Sequence, residues 1–562
     1  TGVIHVLAIS GQHLVVLAGF LWLVIRLFGI GRRRGAWLVA GFLLGYALLT
    51  GGRPPVMRSA VMVLAYCGAI YLRRPALTAN SFALGWLVVA ALNPTDIFTG
   101  GCLLSFLAVA VLYWGTARWF WSAPKDPLDK LVEESRPLWQ KILLRIGRML
   151  AIAYGVNVAI WLAAAPLVAA RYHLISPVGF VIGPPVILLT SIALLTGFFL
   201  LLSAAVCWPL VPVFAWLTHW SLAGCDGLVH VGSVSPGAYW YVSDIPGWWL
   251  WVFYPGLLAA LTLKPLQGRW RWAVTAGLAW LCVGLVGGAA GTTPGEFRCT
   301  FLAVGHGGCT VLEMPDGRTL LYDAGAMGDP EVSRRIIAPY LWHRGIRRVD
   351  EVFLSHADLD HFNGLPALLE RFAVGQVTCT PTFSDKPSPG VPITLEAIRR
   401  RSIPIRIVRA GDRLRAGDVE MEVLHPPPAG PEGNENTRSL ILLVHFAEHS
   451  ILLTGDLEGP GLQRVLGLPP ISVDVLMAPH HGSRTANTPE LAAWARPRVV
   501  ISSQGPPRWP PRGANSYKIA GAAYLETWRE GAVTIRRAGD DLLIETHRTG
   551  QRLFLSNRQQ EP

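Results

Sequence analysis

Four side chains able to bind a metal ion stand within six residues in the run Leu354-Ser-His356-Ala-Asp358-Leu-Asp360-His361-Phe-Asn-Gly364. An apolar stretch that reads as a strand ends at Ser355, so the run falls on the loop at a strand end. There imidazole and carboxylate groups can converge on one small volume, where two divalent ions would each take part of the set. The rival reading is an ordinary solvated loop, which has no need of four ligand-type side chains behind a buried strand. Similar groups close other strands: Asp323 in Leu320-Leu-Tyr-Asp323-Ala-Gly325, Asp456 in Ile451-Leu-Leu-Thr-Gly-Asp456, and His480 and His481 in Val475-Leu-Met-Ala-Pro-His480-His481-Gly-Ser483. Thr-Gly-Asp or His-His alone says little. Together, in this order, they are what a binuclear hydrolytic site requires.

Positioning such ends takes sheets. From Glu296 onward the charges are evenly spread and the apolar runs have strand length. Strands are expected at 297–304, 310–314, 319–323, 351–355, 405–409, 420–424, 440–446, 450–454, 473–478, 499–503, 532–535, 542–546 and 552–555. Helices are expected at 332–344, 366–371, 394–400, 459–466, 489–495 and 516–528. Paired mixed sheets with helices outside suit this order.

The first half is a different material. Of the 562 residues 51% are hydrophobic and 15% charged, a balance rare in a single soluble domain. Residues 1–291 hold long apolar runs with charges collected between them, which reads as a polytopic α-helical membrane domain ahead of an α/β hydrolase domain at 296–562. At about 20 residues per span, about ten spans are expected: 3–26, 36–50, 55–72, 76–92, 97–120, 146–170, 178–205, 208–231, 247–263 and 270–290. Pro184, Pro185 and Pro209 interrupt the stretch 178–231, and breakers at membrane depth persist only where protein or a water-filled cavity satisfies the backbone. Arg32, Arg33 and Arg34, Arg73 and Arg74, and the basic loop after the fifth span alternate with loops poorer in basic residues. The positive-inside rule then puts the first residue outside, and an even number of spans returns the hydrolase domain to the outside.

The net charge of +12 is mostly arginine, which suits the bidentate binding of phosphate; the positive-inside bias is the alternative source. None of the eight cysteines forms a C-x-x-C pair, and a Cys299–Cys309 bridge is one option. With no initiator Met and no signal peptide, the chain reads as a fragment or as having an unusual start. Three polar features interrupt the apolar half. Ser10 and His13 lie within the opening segment, Arg53 and Arg58 flank the entrance to the third span, and His219, Asp226 and His230 lie on a poorly apolar helix that could line a polar cavity.

The soluble motifs resemble the metallo-β-lactamase superfamily, and more closely the ComEC family of competence DNA-uptake proteins. The match runs from about Phe297 to Trp528, with His-x-Asp-x-Asp-His, then Thr-Gly-Asp, then Pro-His-His-Gly-Ser. Asn434-Glu-Asn436-Thr-Arg-Ser439-Leu440 is similar to the family's Asn/Asp-Arg-Ser-Leu segment, and Leu7-Ala-Ile-Ser10-Gly-Gln-His13-Leu to the opening of its competence domain. The resemblance implies a metallo-β-lactamase-like αββα sandwich behind a membrane channel for single-stranded DNA. It also implies a nuclease that degrades the non-transported strand, in the cytoplasmic membrane, alongside other DNA-uptake proteins. It implies two divalent ions, Zn²⁺ or Mn²⁺: one on His356 and Asp358, the other on Asp360, His361 and His480, bridged by Asp456. Asp360, His361 and Asp456 would be catalytic. Asp323, His481, Ser483, Asn436 and Ser439 would support the ligands or meet substrate, and Ser10, His13, Arg53 and Arg58 would belong to the channel. This chain departs from the family in Ala303-Val-Gly-His306-Gly-Gly308-Cys309, which lacks both acids of the usual Asp-Val-Gly-Gln-Gly-Asp-Ala, and in Gly505-Pro-Pro-Arg-Trp-Pro-Pro-Arg512, where a Gly-His-Pro segment is common. Two rivals stay in view: a membrane-tethered hydrolase of another ester, and a DNA channel with a non-catalytic metallo-β-lactamase-like module.

Overall fold

A computed structural model describes residues 11–51, 54–75, 78–116, 135–263, 270–287, 295–385, 390–430, 432–506 and 514–556. The chain divides into two compact units, Thr1–Gly288 and Ala289–Pro562.

The first unit is helical, and its described helices fall on the ten apolar segments. They are α1 (Gly11–Leu27), α2 (Arg32–Leu49), α3 (Pro54–Tyr71), α4 (Thr78–Leu92), α5 (Gly100–Ala110), α6 (Leu138–Tyr172), α7 (Gly179–Val206), α8 (Val211–Val234), α9 (Gly247–Thr262) and α10 (Trp270–Gly287). Two of them, α6 with 35 residues and α7 with 28, are long and apolar enough to cross a bilayer. Shorter apolar stretches of 10–17 residues lie in α1, α3, α4, α5 and α10. Leu14, Ala18, Val39, Leu43, Val56 and Ala60 pack α1, α2 and α3 together, while Leu143, Leu188, Leu201 and Trp251 are exposed. Apolar side chains on the outside as well as the inside suit a lipid solvent. A short antiparallel ladder pairs β1 (Leu174–Ile175) with β2 (Trp240–Tyr241) across the intervening helices α7 and α8.

The prolines of α7 show how a broken helix is mended. Pro184 and Pro185 lack the N–H groups that would bond to the carbonyls of Phe180 and Val181, four residues earlier. Asn157 on α6 donates to the Phe180 carbonyl at 3.2 Å and to that of Gly179 at 3.1 Å. The Tyr154 hydroxyl, one turn away, donates to the Val181 carbonyl at 3.2 Å. The helix runs unbroken because a neighbouring helix supplies the missing donors.

The second unit is a sandwich. Its nine-stranded sheet has the order β18-β17-β16-β3-β4-β5-β6-β7-β8. In chain order these are β3 (Arg298–Phe301), β4 (Thr310–Glu313), β5 (Thr319–Tyr322), β6 (Arg348–Leu354), β7 (Ala373–Cys379), β8 (Ile405–Ile407), β16 (Val533–Ala538), β17 (Asp541–Thr546) and β18 (Arg552–Leu555). The seven-stranded sheet, β15-β14-β13-β12-β11-β10-β9, is built from β9 (Arg413–Ala416), β10 (Val419–His425), β11 (Ile441–Phe446), β12 (His449–Leu453), β13 (Val475–Met477), β14 (Val499–Ser502) and β15 (Ala523–Glu526). Phe301, Leu320, Tyr322 and Phe353 of one sheet meet Val423, Leu442, Leu453 and Ile501 of the other in one core. The alternate residues of the seven-stranded sheet, Leu443, Leu452, Leu476 and Val500, are covered by side chains of the outer helices α15 (Gly459–Leu466), α16 (Pro489–Ala495) and α17 (Ala514–Ile519). Helices α11 (Ala338–His343), α12 (Leu359–Phe362), α13 (Leu365–Leu369) and α14 (Gly390–Arg400) lie in the chain between strands of the nine-stranded sheet. The architecture is the expected αββα sandwich.

Local expectations were corrected at three places. The helix expected at 516–528 stops at Ile519; Gly521 turns the chain with φ +84°, and 523–526 becomes β15, parallel to β14. β7 and β9 are strands where none is expected: β7 shows neither an apolar run nor alternation, and β9 alternates over only four residues, too short a stretch to stand out. Cys299 and Cys309 are both free and buried. The Cys309 carbonyl accepts from Leu302 N–H, three residues along β3 from Cys299, which puts the two about 10 Å apart on the ladder, beyond disulfide reach.

Candidate metal centre

In both sheets the strands that lead to the site run parallel, β5 to β6 and β12 to β13 to β14. Their C-terminal ends therefore open on the same side, where open α/β sheets gather functional groups. β5 ends at Asp323, β6 at Ser355 and the His356–His361 loop, β12 at Asp456, β13 at His480 and His481, and β14 at Ser503.

Asp360, His361, Asp456 and His481 each offer one ligand atom, and all four atoms lie within 4.8 Å of one another. His361 Nε2 lies 3.2 Å from Asp456 Oδ1. His481 Nε2 lies 3.3 Å from Asp456 Oδ2 and 3.5 Å from Asp360 Oδ2. His356 and Asp358 adjoin them, His356 Nε2 being 3.5 Å from Asp358 Oδ2 and its ring 4.2 Å from that of His361. The loop thus delivers Asp360 and His361 to the cluster and leaves His356 and Asp358 beside it.

The groups behind the rings set their tautomers. Asp323 is wholly buried; one oxygen accepts from the Ser355 N–H at 2.8 Å, and the other from His361 Nδ1 at 2.7 Å and the Ser355 hydroxyl at 2.8 Å. The Ser355 oxygen in turn accepts from His356 Nδ1 at 2.9 Å. His481 Nδ1 donates to the Ser503 carbonyl at 2.7 Å. With every Nδ1 carrying its proton, each Nε2 presents a lone pair toward the carboxylates. The Nε2 atoms of His356, His361 and His481 are buried without a hydrogen-bond partner, a costly state for a polar atom unless a ligand completes it. Three lone pairs facing carboxylates fit a divalent metal ion.

Electrostatics point the same way. Burial pushes the Asp456 carboxyl up, but His361 and His481 outweigh it and hold the group well below the usual range. Burial pushes His361 down, yet Asp456 and Asp323 raise it well above an ordinary histidine. His481 is likewise pushed down by burial and carried up to about 9 by Asp456 and Asp360. Without a metal, these carboxylates hold protons on the rings; a cation takes over that role.

Consecutive histidines part company here. His480 and His481 both adopt left-handed backbone, with φ of 48° and 51°, a conformation that costs a non-glycine residue and that clusters at functional sites. The twist sends His481 into the cluster. His480, the expected ligand, turns to the rim: its Nδ1 donates to Glu458 at 2.9 Å and its Nε2 stays 3.9 Å from Asp456. Glu458 also accepts from Asn434 at 3.1 Å and Asn436 at 2.9 Å. Ser439 sits behind the site, its hydroxyl accepting the Asp456 N–H at 3.2 Å. Ser483 faces Thr485 at 2.9 Å on the rim, away from the four-residue cluster.

Ser355, Ser503 and Glu458 carry no motif, and sequence reasoning passed over them. Ser355, beside His356 at a strand end, was the one with a readable signal. In the divergent segment, the His306 ring lies 6.0 Å from that of His481, and His306 Nδ1 accepts the Gly505 N–H at 3.3 Å. A Cβ on Gly308 would stand 3.0 Å from Asp323 Oδ2 and 3.1 Å from His361 Nδ1. Glycine here lets the backbone press against the groups that orient the ligands.

In the helical unit, Ser10 and Arg53 lie outside the described residues. His13 is half-buried on α1. Arg58 is buried on α3 and donates to the Gly101 carbonyl at the start of α5 at 3.0 Å. His219, Asp226 and His230, expected to line a polar cavity, are all exposed on α8 among the described residues, and its buried residues Ser221, Cys225 and Gly232 lie on the opposite face.

Residues 1–267 match the family described as competence protein, and residues 303–501 match the metallo-beta-lactamase superfamily. The chain is 26% identical over 526 residues to ComE operon protein 3 of Bacillus subtilis (strain 168), covering 90% of this chain and 63% of that protein. It is 28% identical over 531 residues to Competence protein ComA of Neisseria gonorrhoeae, with 92% and 66% covered. It is 26% identical over 576 residues to the uncharacterized protein YcaI of Escherichia coli (strain K12), with 95% and 67% covered. The chain thus spans about two thirds of the length of these relatives. With apolar helices that mark a membrane protein, a competence domain followed by a metallo-β-lactamase domain, and both shared along nine tenths of its length with competence proteins, the chain belongs to the ComEC family.

Proposed function

We propose that the chain serves DNA uptake across the cytoplasmic membrane. The helical unit, crossing the membrane several times, carries a single strand, and the sandwich, on the outer side, cuts the phosphodiester bonds of the other strand. The observation that carries the hydrolytic part is the convergence of Asp360, His361, Asp456 and His481 within 4.8 Å, with unpartnered histidine nitrogens facing the carboxylates. These four would hold one divalent ion and His356 with Asp358 a second, with Asp456 shared between them. Nitrogen and oxygen donors without a thiolate suit Mn²⁺ or Zn²⁺. Such ions supply Lewis-acid charge against the phosphate and make water acidic enough to attack at neutral pH.

The chain's own groups do the rest. Asp323 and Ser355 fix the His361 and His356 rings, and Ser503 fixes His481. His480, paired with Glu458 on the rim, would hand a proton to the departing oxygen. Purified full-length chain with Mn²⁺ or Zn²⁺ should degrade single-stranded DNA, and Asp360→Ala should not. Equal activity of the two would end the catalytic reading, and the metal-loaded chain would then be a DNA channel with a non-catalytic module. The loss of both family acids at Ala303 and Gly308 favours that second reading. Deleting the gene should abolish transformation by added DNA; unchanged transformation would remove the uptake role altogether.

A further inference from the structure

Five arginines at one end of the helical unit line an open cavity. The cavity, about 770 Å³, lies between the start of α2 and the end of α3 and is lined by Arg32, Arg33, Arg34, Arg73, Arg74 and Tyr66. Among the described residues no carboxylate lines it, and the sequence holds no Asp or Glu before Asp96. The helix end adds to the excess of positive charge. Gly31 caps α2 without a side chain, and the first turn holds three arginines where acidic groups would be favourable. The opposite wall is fixed by backbone: Arg73 takes a left-handed φ of 54°, and Arg73 and Arg74 N–H groups close the end of α3 on the carbonyls of Ile70 and Ala69 at 3.2 and 3.0 Å. Five guanidinium groups and an uncapped helix start, with no acid among the described residues lining the cavity, are a site for a polyanion.

The fringe of the cavity tells what bears the anion. Trp37 packs edge-on against Tyr71 with ring centroids 5.4 Å apart, and the Arg33 guanidinium lies 6.0 Å over that Tyr71 ring. Trp37, Leu72 and Phe28 are 63%, 65% and 78% exposed. Aromatic rings and arginines together at helix ends belong to the membrane–water boundary. A ligand bound here would lay its phosphate among arginines and its hydrocarbon along exposed apolar side chains. We propose that this cavity binds the phosphate headgroup of an anionic phospholipid, on the face that the positive-inside pattern assigns to the cytoplasm.

The full chain in detergent is titrated with phosphatidylglycerol, or with phosphatidylcholine of the same acyl chains, and its melting temperature is followed. Phosphatidylglycerol should raise it and phosphatidylcholine should not. Arg73→Gln with Arg74→Gln should move the midpoint to about 25-fold more lipid, about fivefold per arginine removed. Arg32→Gln with Arg34→Gln, on the other wall, gives the same reading should the first pair fail to fold. An equal response to both lipids, or a folded variant with the wild-type midpoint, would overturn the proposal. So would a single-stranded oligonucleotide that displaces phosphatidylglycerol from the wild type and binds neither variant; the cavity would then belong to DNA.

Discussion

The helical unit and the sandwich both bury polar side chains, but they finish the work differently. In the helices, Asn157 and Tyr154 reach the carbonyls that Pro184 and Pro185 leave open, and Arg58 reaches the carbonyl of Gly101. These side chains serve backbone carbonyls, as a surrounding of lipid demands, though Arg58 Nε is itself buried without a partner. In the sandwich, Asp323, Ser355 and Ser503 bind one nitrogen of each ring and leave the other nitrogen of His356, His361 and His481 without a partner. Single buried atoms without a partner occur elsewhere, as at Thr310 and Thr382, but three ring nitrogens left open side by side and facing carboxylates are arranged for something that arrives later.

The comparison breaks most sharply at Asp456, which touches both His361 and His481. Asp456→Ala should strip bound metal, read by elemental analysis, and lower DNA hydrolysis by more than about 100-fold. His481→Ala should follow it. His480→Ala should keep the metal and lose rate. Metal lost from His480→Ala and kept by His481→Ala would reverse the assignment of the two rings.

Asp323→Asn comes next. It weakens the acceptor for His361 Nδ1 without touching a ligand, and metal affinity measured by competition with a chelator should fall about 10–100-fold. An unchanged affinity would make Asp323 a packing residue only. Asn157→Leu tests the other side of the comparison. It removes the donor that serves the Phe180 carbonyl in place of Pro184 and should cost about 1–2 kcal/mol in resistance to unfolding in detergent, with metal affinity unmoved. A loss of metal in that variant would mean that the two units are not separable in this way.

The smallest effect concerns His449, whose ring lies 3.4 Å from Asp474 and donates to the Asp540 carbonyl at 3.0 Å. The bond to Asp474 raises its pKa against the opposing pull of burial. A raised folded value means that its contribution is full below about pH 6.5, the unfolded value, and is lost as pH climbs through the folded one. Chemical unfolding across that window should show stability declining with pH, and His449→Gln should flatten the decline. A slope of the opposite sign would exclude the Asp474 pairing.

The sequence by itself determined the division of the chain, the apolar segments that became α1 to α10, and the types of residue at the strand ends. Those are local properties: length, hydropathy and the order of residues along one strand and its loop. The motif His356 to His361 could be read because its four side chains follow a single strand. The tertiary structure decided what depends on residues far apart. Which of two adjacent histidines joins the cluster was set by two left-handed residues and by Ser503 and Glu458, each 22 residues from the ring it holds. That Pro184 and Pro185 do not end a helix was set by Tyr154 and Asn157 on another helix. A hydrogen bond between distant segments leaves no period in the sequence, so only the folded chain shows which polar atoms are answered and which are left facing the site.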